Sequence, residues 1–345
     1  MRTLTQRQLN RALLARQLLL ERGRMELPEA LERIGGIQAQ YAPSMYTGLW
    51  SRVAGFERAA LTEALERRTV VQGTLMRTTI HLVSRADYWP FALAVRTERR
   101  AQWMRQHPQP TGRAMSAAAR TLKRRLDGGT LRRNEVEALL GKSRAAGIHT
   151  WLDLVRAPPS GTWERRRADL YAAAEDWIGP PEVGVPAAME HLVRRYLAGF
   201  GPASAKDVAS YTGLAPVTLR PLLERIELER YASEHGEVLL DLPGAPLPDP
   251  DTPAPPRFLP TWDATLLVHA RRSGLLPERH RARIFHTSKP QSLPTFLVDG
   301  AVAGSWRHED GGIRLDPFEP LDPASLRAVR EEADRLATLF AEPDS

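Results

Sequence analysis

Between Ala187 and Asp241 the residues follow an order that few folds can use. Met189, Leu192, Val193, Tyr196 and Leu197 recur at helical spacing and stop at Gly199 and Gly201. Ser204 is placed to cap a short helix, Ala205 to Tyr211, that ends at Gly213. Pro216 to Arg225 predicts another helix, with Leu219, Leu222 and Leu223 as its inner face. Ile226 to Tyr231 and Glu237 to Leu240 read as two strands around the turn Glu234-His235-Gly236. Helix, helix, turn, helix and a two-stranded wing together make a winged helix-turn-helix.

Two further units of this architecture are expected upstream, with no sequence identity between copies. Met115 to Leu126 predicts a helix ending at Gly128-Gly129, and Thr130 caps a short helix from Leu131 to Leu140. His149 to Val155 reads as the third helix of that unit, and Thr162 to Trp177 as its wing. Nearer the start, Thr5 and Gln8 make a capping box for a helix ending at Gly23, and Pro28 opens the next one. Met45 to Val53 and Glu57 to Arg68 read as helices, and Thr69 to Ser84 as β-rich. Seven prolines from Pro243 to Pro256 mark a linker or an extended strap. After it, Phe258 to Val268, Arg283 to His286, Thr295 to Val298, Val302 to Trp306 and Ile313 to Leu315 read as short strands. A helix from Ala324 to Phe340 closes the chain. The expected fold is mainly α with β wings: units at 1–111, 112–185 and 186–242, a linker at 243–256, and a β-rich module at 257–345.

Charge narrows the partners. Lys and Arg number 48 against 41 Asp and Glu, and only Lys123, Lys142, Lys206 and Lys289 are lysines. Arginine carries a permanent planar fork that matches phosphate. From Arg96 to Arg133, eleven basic residues stand against two acids, Glu98 and Asp127. Such a block reads as a polyanion-binding surface, with Arg124 and Arg125 as candidate DNA contacts. The plainer alternatives are a solvated helix face and a GC-rich genome behind the arginine excess. Cysteine is absent, which removes disulfides, thiolate nucleophiles and Cys-ligated metals. No run reaches 18 apolar residues and no signal-peptide core precedes the first helix, so a soluble cytoplasmic protein is expected.

Most catalytic signatures are missing. Gly141-Lys142-Ser143 resembles the end of a P-loop, but Val136 stands where its first glycine belongs. The nine histidines are scattered, and neither a metal site nor a cofactor is expected. The segment Gly35-Gly36-Ile37-Gln38-Ala39-Gln40-Tyr41-Ala42-Pro43 stands apart. Residues two apart diverge by about 200° on a helix but share a face in an extended segment. Pro43 biases Ala42 away from the α region. Both amides can then converge on a water or a base edge; the alternative is a pair of surface glutamines at a helix end.

The same run, with Gly48-Leu49-Trp50, Thr74 to Val83, Pro294 to Gly300 and Gly304-Ser305-Trp306-Arg307, resembles the AlkZ-like DNA glycosylase family from Thr5 to about Phe340. That resemblance implies tandem winged helices in a C-shape around duplex DNA, followed by a β-rich module. It implies that Gln38 and Gln40 are the catalytic Gln-x-Gln pair. A sister branch, like the YcaQ enzymes, has aspartate at the second position, so Gln40 places this chain nearer the AlkZ branch, which includes self-resistance enzymes for DNA-alkylating natural products. The family's DNA-binding hairpin, a histidine followed two residues later by serine or threonine, maps onto His286 and Ser288, with Lys289 beside them. The implied activity is hydrolysis of N7-alkylguanine glycosidic bonds in double-stranded DNA, extending to bulky adducts and crosslinks. With no lysine near Gln38, a monofunctional enzyme is expected, acting as a monomer. The rival is a non-catalytic winged-helix regulator, which would ordinarily dimerise to read two half-sites.

Overall fold

The computed structural model describes residues 1–267, 274–285 and 292–341. Its helices and strands build three sheets and the helices that cover them. The central sheet has six antiparallel strands, in the spatial order Ile37–Gln38, Ile80–Ser84, Val70–Thr74, Leu154–Arg156, Leu170–Ala173 and Thr130–Arg132. It is continuous across residues 37–173. The long helix Arg85–Gln106 packs on Val185–Phe200, with Phe91, Val95, Leu192 and Tyr196 in one core cluster. No helix among the described residues is long and apolar enough to cross a membrane.

Local rules set out the Val185–Asp241 region well. Helices Val185–Phe200, Ala205–Thr212 and Pro216–Arg225 are followed by the hairpin Glu229–Ser233 and Val238–Asp241. Ser204 and Asp207 make a reciprocal capping box, and Gly213 takes the left-handed C-cap. One strand was unforeseen. Arg2–Leu4 adds to this hairpin in parallel, opposite Tyr231–Ser233.

Elsewhere the elements differ from expectation. The Thr5–Gln8 capping box is present, but the helix Gln6–Arg16 stops well before Gly23, where Leu18 takes φ 57°. Thr130–Arg132 is a strand, and the helix after it is Arg133–Leu140. His149–Val155 is not a helix. A helix at Lys142–Gly147 and a single 3₁₀ turn precede the strand Leu154–Arg156, which pairs with Val70–Thr74. In the tail, Phe258–Val268 divides into the strand Arg257–Leu259 and the short helix Ala264–Leu267. The stretch read as a strand from Arg283 is a helix, Arg281–Ile284, in which Arg283 lies over the Phe318 ring. Strands Thr295–Val298, Ala301–Glu309 and Gly312–Pro317 complete a four-stranded sheet, covered by the helix Pro323–Ala341 through Leu336 and Leu339.

The proline run 243–256 forms no helix or strand. It is held as a strap. Arg7 Nε donates to Pro250 O at 2.8 Å, Arg11 Nε to Thr252 O at 2.7 Å and Arg16 Nη2 to Pro246 O at 3.0 Å. Arg16 also pairs with Asp241 through two contacts of 2.7 and 2.8 Å, with both side chains only 1% exposed.

Candidate active site

Gly35 and Gly36 turn the chain from the helix Leu27–Ile34 into the edge strand Ile37–Gln38, with φ of 79° and 84°. A Cβ on Gly36 would lie 2.9 Å from Val83 Cγ1 and 3.0 Å from Leu82 O, so only glycine passes there. Gln38 then pairs with His81 across the sheet. The strand ends, the chain bends at Gln40, and the helix Ala42–Trp50 begins with Pro43 in its first turn.

The two glutamines therefore occupy different settings. Gln38 is 7% exposed and lies beside His81, and its carboxamide makes no hydrogen bond among the described residues. Gln40 is exposed, beyond the strand's end, and its Oε1 accepts from the Ile80 N–H at 3.0 Å. Only the oxygen can take that proton, so the amide orientation is fixed by its partner. The Gln40 NH₂ is left to donate. The strand ends at Gln38 and the chain bends at Gln40, so regular strand alternation is interrupted between the two.

Gln40 lines a polar cleft of about 240 Å³ with Thr74, Thr78, Ile80, His149, Arg156 and Tyr171 among its walls. A larger groove of about 790 Å³, along Ala209, Val217, Leu219 and Leu223, is mainly apolar and is lined by neither glutamine. His81 is buried, and its pKa is pushed down to about 3 by burial and by the nearby Arg77 charge. It stays neutral at physiological pH and bonds Thr79 O through Nδ1 at 3.0 Å. Among the described residues, no group of three or more His, Asp or Glu is placed to hold a metal ion.

The loop that presents Ile80 is strained. Arg77 and Thr78 both take left-handed φ, 51° and 60°, although neither is glycine; such geometry costs about 1–2 kcal/mol per residue. Tyr211 holds it in place. Its backbone carbonyl accepts from Arg77 Nη1, its ring lies 5.4 Å from the Arg77 guanidinium, and its hydroxyl donates to Gly35 O. One residue of the helix Ala205–Thr212 thus grips both segments that frame Gln38 and Gln40. Tyr211→Phe keeps the ring and removes only the Gly35 bond. We expect a loss of about 1–2 kcal/mol in urea unfolding. Unaltered stability would show that the hydroxyl contributes nothing.

Arg124 and Arg125 are exposed in the last turn of the helix Gly112–Leu126, away from the cleft walls. The basic block proves divided. Arg96 pairs with Asp153, Arg99 is buried against His149 O, and Arg100 bonds Thr150 O, while Arg105, Arg113, Arg120, Arg124, Arg125, Arg132 and Arg133 are exposed. His286, Ser288 and Lys289 lie outside the described residues. Sequence reasoning missed Arg156, His149, Tyr171 and Tyr211. For Arg156 a signal existed: a charge within the strand Leu154–Arg156, whose other members are apolar.

The fold is similar to that of a solved structure of Streptomyces sahachiroi DNA glycosylase AlkZ, with a TM-score of 0.83 at 19% identity, over 98% of this chain and 97% of that one. No curated protein matches the sequence. The family described as DNA glycosylase AlkZ-like matches residues 31–339. With nine-tenths of its length inside that match, the chain belongs to the AlkZ-like DNA glycosylase family.

Proposed function

We propose that the protein hydrolyses the N-glycosidic bond of N7-alkylguanine in double-stranded DNA, acting as a monomer through Gln38 and Gln40. The observation that carries this reading is a pair of glutamines, two residues apart, with unspent hydrogen-bonding capacity, of which Gln40 lines a polar cleft. The Gln38 carboxamide therefore keeps its two donors and its acceptor for a water or a ligand. Alkylation at N7 makes guanine cationic and a good leaving group. The C1′–N9 bond breaks with its electron pair going to the base, which departs uncharged. Water adds at C1′ and releases a proton to solvent, leaving an abasic site. Such a reaction needs a positioned water more than a strong acid or base, and orientation alone is worth several kcal/mol. Amides suit that task because they donate and accept without charge.

Tandem winged-helix units along the duplex, contacts from Arg124 and Arg125, and a hairpin carrying His286, Ser288 and Lys289 belong to the same proposal. So do unhooking of crosslinks and removal of bulky natural-product adducts. The direct test is release of 7-methylguanine from a methylated duplex, followed by chromatography of the free base. Release that yields alkali-labile abasic sites, without a covalent imine trapped by borohydride, is the expected result. A protein that binds duplex DNA but releases no base would be a binding protein instead.

A further inference from the structure

Arg156 carries a charge that the protein itself leaves unanswered. It ends the strand Leu154–Arg156, is 7% exposed, and lies over the Tyr171 ring at 5.3 Å. Its Nε and Nη1 find no hydrogen-bond partner among the described residues. Glu137, the acid on the cleft wall, is taken by Arg133 at 2.8 Å, and Asp153 is taken by Arg96 at 2.5 Å. His149 adds no charge, since burial and the nearby Arg99 and Arg156 push its pKa down to about 3. A buried cation without a counter-charge is costly, and an anion entering the cleft removes that cost. The Thr74 hydroxyl and the Gln40 amide supply neutral polar groups on the same walls.

We propose that this cleft is a phosphate subsite, in which Arg156 receives one backbone phosphodiester of the bound strand and so sets that strand's register against Gln40. The fork of a guanidinium matches two phosphate oxygens. An N7-alkylated base is the wrong occupant, because its positive charge would meet another. The proposal deepens the glycosylase reading and rests on it for the identity of the strand; the anion site can be tested without any base release.

Two measurements on the full-length protein decide it. In the first, affinity for undamaged duplex DNA is followed against salt for the wild type and for Arg156→Met and Arg156→Lys, with thermal unfolding as the check on folding. Each phosphate contact contributes about 0.9 to the log–log slope. Folded Arg156→Met should lose about that much, while Arg156→Lys keeps most of it. An unchanged slope overturns the proposal. In the second, the wild type is given duplexes in which one phosphate at a time around a 7-methylguanine is a neutral methylphosphonate. A loss of tenfold or more in affinity at one position, not deepened by Arg156→Met, supports the subsite. Equal tolerance at every position overturns it, even if the Met variant fails to fold. If no base is released from any duplex but the slope still falls, the glycosylase reading fails and the phosphate site stands.

Discussion

Gln38→Ala and Gln40→Ala are each expected to slow single-turnover release of 7-methylguanine by about 10²–10³-fold, the usual cost of removing one preorganised group that acts on the transition state. Duplex affinity should stay within about twofold, since the loss falls on the chemical step. If both amides hold one water, the double variant should be scarcely slower than either single one, because residues that act as a unit are not additive. Multiplicative losses would separate their roles, as their different settings permit: Gln38 unpartnered beside His81, Gln40 anchored on Ile80. Gln40→Glu is the sharper variant. It keeps the length of the side chain and an oxygen for the Ile80 N–H, and turns the remaining donor into an anionic acceptor. That anion faces a developing oxocarbenium charge, so activity should persist or rise. The shorter aspartate, present in the sister branch, has less reach to Ile80 and should do less well here. A dead Gln40→Glu enzyme with intact DNA binding would show that the amide N–H itself is required.

The largest loss of stability is expected from Asp241→Ala. The Arg16–Asp241 pair is sealed, both side chains 1% exposed, and joins the helix Gln6–Arg16 to the hairpin strand Val238–Asp241. Removing the carboxylate strands a guanidinium whose remaining partners are the carbonyls of Leu197 and Pro246. Breaking such a pair costs about 3–5 kcal/mol, to be read from the urea midpoint. The joint replacement Arg16→Met with Asp241→Leu should recover much of it, because an apolar pair has no charge to desolvate. Glu63→Ala is the contrasting case. Its partner Arg67 is 70% exposed, so solvent already screens the pair and no measurable change is expected.

Elements set by short-range signals were legible in the sequence. Ser204, Gly213 and Pro216 bound two helices that form as written, because a cap or a left-handed glycine acts on its own neighbours. His149–Val155 was misread because its apolar residues fit either period, and its partner Val70–Thr74 lies some eighty residues upstream. Long-range pairing decided it. The candidate site shows the same division. The unusual glutamines and glycines stood out, but the anchor on Gln40 is a backbone N–H forty residues away. Nothing in the composition of Arg77 and Thr78 announces left-handed backbone, since neither is a residue that favours it. The arginine block misled in part because Arg99 spends its charge inward, on His149 O.

The parallel strand Arg2–Leu4 has a consequence for how the molecule is made. Its partner, Tyr231–Ser233, is translated almost 230 residues later. At about 5–20 residues per second, the ribosome leaves that segment waiting for roughly 10–50 s. Until then its edge hydrogen bonds face solvent or chaperone, and the adjoining Arg16 lacks Asp241. The strand Arg2–Leu4 therefore stays unpaired until Glu229–Ser233 has been made. Nascent chains stalled before residue 233 should expose it to protease, and chains released beyond the strap should not.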